Sequence, residues 1–217
     1  ENMRFPTTRR RPYASTMTGT IRIIGGRWRG RRLAVPDRPG LRPTGDRARE
    51  TLFNWLADRV AGATALDLFA GTGALGLEAA SRGAARVVLV ERDPALVARL
   101  ESVRADWPGG ETLGVVRADA PSWLAGATGP FDLVFIDPPF EAQLHDRTLA
   151  ALGRAGLLAR DARVYVESPA RAPAPVSGTD SGWHVARDKR VGDVRMQLLA
   201  RAEDDALETG LPPIPGA

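Results

Sequence analysis

Residues 63–83 read ATALDLFAGTGALGLEAASRG. Five apolar residues surround Asp67 before the glycines begin, and a helical pattern follows directly. This is a buried strand, a glycine-rich turn and a helix in immediate succession. The turn holds a literal G-x-G-x-x-G at Gly71, Gly73 and Gly76. Glycine allows the backbone a left-handed turn and lets a ligand come close. The next apolar run, RVVLVE (86–91), ends on Glu91, twenty residues after Gly71. That spacing and context fit a nucleotide-type cofactor.

Working outward, strand and helix patterns alternate. Strands are expected at 63–70, 86–91, 112–119, 131–140 and 162–168, with helices at 75–82, from Pro94 to about Ala105, and from Leu144 to about Ala155. A short helix should follow the 112–119 strand. Trp183–Lys189 and Val194–Leu199 read as a closing antiparallel pair around Gly192-Asp193. Such alternation gives an α/β fold with a doubly wound, Rossmann-like parallel sheet covered on both faces. Upstream, residues 20–36 form a strand pair, and Thr44 or Asp46 caps a helix running to about Arg59. The expected organisation is a basic tail at 1–19, a basic β-hairpin/helix extension at 20–60, a cofactor-binding catalytic domain at 61–201 and a tail at 202–217. Trp55, Trp123 and Trp183 are read as core residues, and His145 as a helix-surface residue.

The chain has 217 residues, no cysteine and two histidines. Thiolate nucleophiles, disulfides and Cys-ligated metals are excluded, and no metal site is expected. No apolar run reaches the ~20 residues of a membrane helix, so a soluble, cytoplasmic protein without a membrane partner is expected. Charge is unevenly placed. Residues 1–60 hold fourteen arginines against five acids, a net of +9, whereas the remainder carries −5. A basic extension on an acidic body points to nucleic acid. Arg27, Arg29, Arg31 and Arg32, then Arg42, Thr44, Arg47 and Arg49, are candidate RNA contacts. Lys189 and Arg190, beside the last turn, join them.

Two readings of the glycine loop compete. A nicotinamide oxidoreductase would place pyrophosphate there. Asp67, four residues before Gly71, is awkward beside a pyrophosphate and welcome beside a cation. S-adenosylmethionine carries an ammonium and a sulfonium and no phosphate. Asp67, Phe69, Gly71 and Gly73 are therefore its candidate ligands. Glu91 and Arg92 would lie at the ribose, and Asp119 and Ala120 at the adenine; Asp119 could equally cap the following helix.

Asp137-Pro138-Pro139-Phe140 closes the 131–140 strand. Prolines carry no N–H, so the Asp137 carboxylate and Pro138 carbonyl are acceptors without local competition. Two acceptors beside an aromatic ring suit an exocyclic amine on a flat base, with Phe140 stacking on it. These four residues are the candidate catalytic group. Glu167, at the end of the fifth strand, is a second-tier candidate.

Taken together, RIIGGRWRGRRLAVP (22–36), GLRPTGDRARETLFNWL (40–56), LDLFAGTGALGLEAASRGA (66–84), VERD (90–93), FDLVFIDPPF (131–140) and KRVGDVRMQLL (189–199) resemble the bacterial 16S ribosomal RNA guanine-N2 methyltransferases of the RsmD type. The resemblance spans roughly residues 20–200. It implies a class I methyltransferase sheet of seven strands, the last antiparallel. It also implies methyl transfer from S-adenosylmethionine to the N2 amine of a guanine, 966 in the usual count of that RNA, within a partly assembled small ribosomal subunit. A monomer is expected. Thr72 stands where serine is common in the family. The rival activities are an adenine-N6 DNA methyltransferase, the oxidoreductase above and a non-catalytic RNA-binding assembly protein.

Overall fold

A computed structural model describes residues 17–36, 45–139, 144–154, 156–177 and 182–202. Two strands, β1 (Met17–Arg22) and β2 (Arg32–Pro36), pair antiparallel with Ile21 opposite Leu33. The first strand thus begins inside the stretch read as tail. Helix α1 (Asp46–Trp55) follows, and its N-cap is Gly45, without a side-chain cap. The expected cap fails for a physical reason. Asp46 is itself the first helical residue, past the cap position, and its Oδ1 accepts from Arg49 Nη2 at 2.6 Å instead. Thr44 lies outside the described residues. The helix also ends before Arg59, although Leu56 and Val60 remain buried in the turns that follow.

The body alternates β3 (Thr64–Asp67), α2 (Ala74–Ser81), β4 (Arg86–Glu91), α3 (Pro94–Asp106), β5 (Leu113–Arg117), α4 (Ala120–Leu124), β6 (Phe131–Ile136), α5 (Leu144–Arg154), β7 (Leu158–Pro169), β8 (Trp183–Val191) and β9 (Val194–Arg201). The seven body strands form one sheet in the order β5-β4-β3-β6-β7-β9-β8. β9 is antiparallel to both neighbours, and the other pairings are parallel. The closing hairpin therefore inserts its second strand next to β7 and leaves β8 at the edge.

Alternate residues of each strand feed two apolar layers. Ala65, Leu133, Phe135 and Tyr165 face the layer under α1, α2, α3 and the β1–β2 hairpin. Leu66, Val134, Ile136 and Val164 face the layer under α4 and α5. Both faces are dry, which explains why the strands read as unbroken apolar runs. Trp183 is buried in the second layer, while Trp123 and Trp55 are partly buried against the core.

The extension docks on the end of α2. Arg27 N–H and Trp28 N–H donate to the Ser81 carbonyl and hydroxyl, at 2.8 and 2.9 Å. Gly26 has φ +73, and any side chain there would strike the Ser81 backbone. Beneath this contact Glu78 is fully buried. It accepts from Ile24 N–H and Gly25 N–H, both at 2.8 Å, from Arg82 Nε at 2.8 Å and from Arg49 Nη1 at 3.4 Å. Arg49 Nη2 also donates to the Arg22 carbonyl at 2.8 Å. Removing one member of a buried ion network strands the others. Glu78→Ala should therefore cost about 3 kcal/mol or more in urea unfolding. Arg104→Ala, which breaks only an exposed pair with Glu101, should stay within about 0.5 kcal/mol.

Candidate functional site

The strand order reverses between β3 and β6, because the chain winds outward to β5 and then returns. The crevice outside the carboxyl ends of strands at such a reversal is where open α/β sheets bind ligands. Both sequence motifs end there. The glycine loop leaves β3, and Asp137 follows directly on β6.

The loop is held by the sheet itself. Leu68 N–H donates to the Phe135 carbonyl at 3.1 Å, and Ala70 N–H to the Val90 carbonyl at 3.0 Å. Gly71 and Gly73 have φ +54 and +83, conformations costly for residues with a Cβ. Gly71 N–H donates to Glu91 Oε2 at 2.8 Å, and Asp93 N–H to Glu91 Oε1 at 2.8 Å. Glu91 thus ties the glycine loop to the start of α3. Each of its oxygens keeps a further lone pair for a ligand hydroxyl.

Asp67 is 2% exposed, and its Oδ2 accepts from Gly76 N–H at 2.9 Å. A Cβ at Gly76 would press on Leu89 and come within 3.2 Å of that carboxylate, so the third glycine permits close helix–sheet contact. Burial raises the Asp67 pKa from 3.8 to about 7, and the Glu91 charge adds to the rise, while the Gly76 and Phe69 N–H groups oppose it. A buried acid poised near neutrality beside the loop is the arrangement a cationic ligand would stabilise in its charged form. Phe69 is half-buried against the second apolar layer, and Arg92 is exposed. Asp119 is exposed and caps α4, accepting from Ser122 N–H at 3.3 Å and Ser122 Oγ at 3.0 Å through Oδ2. The capping reading is therefore realised in the structure. Ala120 is buried at the first position of that helix.

Asp137 is half-buried, Pro138 buried and Pro139 exposed; Phe140 lies outside the described residues. On the neighbouring strand, Tyr165 donates its hydroxyl to Glu167 Oε2 at 2.7 Å, and both residues are buried. The charges of Glu167 and Asp137 add to burial in pushing the Tyr165 pKa well above its ordinary value. His145 is half-buried, with Nε2 at 2.8 Å from the Glu167 carbonyl, and is not the helix-surface residue expected. Tyr165 was missed by sequence reasoning. The available signal was its position two residues before Glu167 on one strand, hence on the same face.

The arginine cluster divides. Arg49 is 0% exposed and structural, which corrects its reading as an RNA contact: its charge is spent on Glu78 and Asp46. Arg27 lies over the Trp28 ring at 4.8 Å and donates to Gly109 O and Thr112 Oγ1, at 3.1 and 3.0 Å. Arg31 lies over Trp107 at 4.9 Å. Arg27 and Arg31 are nonetheless exposed, as are Arg29, Arg32, Arg47, Lys189 and Arg190. Arg42 and Thr44 are outside the described residues. Among the described residues there is no cluster of three metal-ligating side chains and no helix long and apolar enough to cross a membrane.

A family described as Conserved hypothetical protein 95 matches residues 21–200. Ribosomal RNA small subunit methyltransferase D of Escherichia coli strain K12 is 47% identical over 192 residues, 87% of this chain and 96% of its own length. The Haemophilus influenzae protein of the same name is 37% identical, covering 83% of this chain and 93% of its own. The solved structure of yhhF from Escherichia coli superposes with a TM-score of 0.73 at 44% identity, covering 84% of this chain and 98% of that one.

The Asp67 shift carries a pH signature. The folded state holds the proton up to about pH 7, whereas the unfolded chain releases it near 3.8. This contribution to stability is therefore full at low pH and is lost as pH rises towards about 7. The wild-type protein should lose more stability between pH 5 and 8 than Asp67→Asn, as read from urea midpoints at the two pH values.

Proposed function

The chain belongs to the Conserved hypothetical protein 95 family, and from that membership we propose that it methylates the exocyclic N2 amine of a guanine in small-subunit ribosomal RNA. The observation that carries the reading is the meeting of the glycine loop and Asp137 at one sheet reversal, on adjacent strands β3 and β6. The cofactor is S-adenosylmethionine, which supplies an electrophilic methyl group on a sulfonium when bound. The chain's own residues fit it. Asp67 gives a carboxylate whose burial favours a cationic partner, Gly71 and Gly73 give close backbone approach, and Glu91 gives acceptors for ribose hydroxyls. Phe69, Arg92, Asp119 and Ala120 complete the proposed cofactor pocket.

At the substrate, the Asp137 carboxylate and the Pro138 carbonyl accept the two amine hydrogens. That polarises the nitrogen and frees its lone pair from conjugation with the ring as the nitrogen turns tetrahedral. The proton shed by the amine passes to Asp137. Catalysis is positioning and charge placement, with no covalent bond to the protein. Phe140 supplies the stacking surface, and Pro139 stiffens the turn. The extension at 20–60 contacts the RNA through Arg27, Arg29, Arg31, Arg32 and Arg47, joined by Lys189 and Arg190. The catalytic domain is 61–201. The substrate is 16S RNA in a partly assembled subunit, met in the cytoplasm by a monomeric enzyme.

Transfer of labelled methyl to small-subunit particles tests the activity. Asp137→Ala should lower transfer by ~100-fold or more, as loss of a preorganised acceptor does, while S-adenosylmethionine still binds in calorimetry. A fully active Asp137→Ala protein would remove the polarisation role, and binding of NAD in place of S-adenosylmethionine would favour the oxidoreductase. Neutralising Arg29 and Arg32 together should weaken RNA affinity and flatten its salt dependence by up to ~2 in log–log slope, with cofactor affinity unchanged.

A further inference from the structure

The last paired rung between β6 and β7 joins Ile136 to Val166. One residue further on come Asp137, just past the end of β6, and Glu167, on β7 where its pairing with β6 stops. Side-chain alternation places both on the face that carries Asp67, Phe135 and Tyr165. Glu167 is 3% exposed, a buried acid beside the point where β6 gives way to the Asp137 turn. Tyr165, 0% exposed, spends its hydroxyl on Glu167 Oε2 at 2.7 Å. The main chain of the same residue is pinned through its carbonyl by His145 Nε2, at 2.8 Å, from the first turn of α5. A buried carboxylate is costly to keep; here Tyr165 bonds it directly and His145 anchors the backbone that carries it. The field of Asp137 also reaches the Tyr165 hydroxyl, in keeping with the three groups converging.

Guanine offers two adjacent donors on its pairing edge, the N2 amine and N1–H. Adenine offers a lone pair at N1. With Asp137 and the Pro138 carbonyl on the amine, the neighbouring donor falls to the next acceptor along the strand ends. Neighbouring strands lie ~4.8 Å apart, a spacing from which two carboxylates can converge on two adjacent donors. We propose that Glu167 accepts the N1–H of the target guanine, with Tyr165 as the positioning residue that orients its carboxylate, so that this pair selects guanine over bases that present a lone pair at N1. This rests on the methyltransferase reading above and adds to it the residue that reads the base. The selection has an attractive and a repulsive half: an N1 lone pair would face a carboxylate with no hydrogen between them.

The test uses the full chain and reconstituted small-subunit particles in which the mapped target guanine is replaced by 2-aminopurine. That base keeps the N2 amine and lacks N1–H. Single-turnover transfer of labelled methyl gives the guanine to 2-aminopurine preference. The wild-type enzyme should prefer guanine by ~100-fold or more, as sites built to bond a substrate N–H do. Glu167→Gln, whose amide N–H can face a bare N1, should lower transfer to guanine and cut the preference at least tenfold. Tyr165→Phe keeps the buried ring and should move the preference the same way by a smaller factor, with raised KM for particles and unchanged affinity for S-adenosylmethionine. Comparing variant with wild type cancels the effect of the O6 that 2-aminopurine also lacks. If Glu167→Gln does not fold, as judged by cofactor binding, Tyr165→Phe decides alone. A wild-type preference below threefold, or a preference unchanged in the folded variants, overturns the assignment of Glu167. Failure of the wild-type enzyme to methylate guanine at all would instead sink the underlying guanine reading.

Discussion

Glu78 is a fully buried carboxylate that serves two parts of the chain at once. It sits on α2, directly behind the glycine loop, and satisfies two backbone amides of the extension together with the guanidinium groups of Arg49 and Arg82. Buried ionic groups persist only when fully partnered, so this acid dictates how the hairpin and α1 must lie. The dry packing then follows. Trp28, Leu33, Leu52 and Phe53 share one apolar layer with Leu75, Leu77 and the sheet. The extension is thus continuous with the body's core, and its exposed arginines are carried on a rigid base.

The charge split of the sequence acquires a finer meaning on this base. Part of the positive charge near the N-terminus holds the structure together. Arg49 is wholly internal, while Arg27 and Arg31 lie on tryptophan faces and rim the hairpin loop. What remains for a polyanion is the exposed set Arg27, Arg29, Arg31, Arg32 and Arg47, with Arg49 withdrawn. On the acidic side, three carboxylates at or near the carboxyl ends of the strands are in different states. Asp67 is buried with a raised pKa, Glu91 is half-buried and bonded to loop amides, and Glu167 is buried and held by a tyrosine. The environment of each, more than its residue type, sets what it can bind.

The sheet reversal makes one site out of two distant motifs. The glycine loop and the Asp137 turn are separated by more than sixty residues in the chain but lie on adjacent strands. The closing hairpin contributes as well. β9 lies against β7 and backs Tyr165 and Glu167 with Leu198 and Met196, its register partners. An apolar backing on that side leaves these polar groups to partners at the strand ends.

The sequence by itself determined the order of elements, the α/β class, the β1–β2 pair and the positions of both motifs. These are local properties: side-chain periodicity, glycine freedom and the missing N–H of proline are written within a few residues. It also determined the family, since several separate segments had to match together. Only the tertiary structure decided which charges are internal. Arg49 and Glu78 lie 29 residues apart, and nothing local distinguishes a buried arginine from its exposed neighbours. The same holds for His145, whose partner is the Glu167 carbonyl 22 residues away on another element. In both cases the deciding partner comes from another element, and a polar group's role follows from the partner it finds once water is excluded.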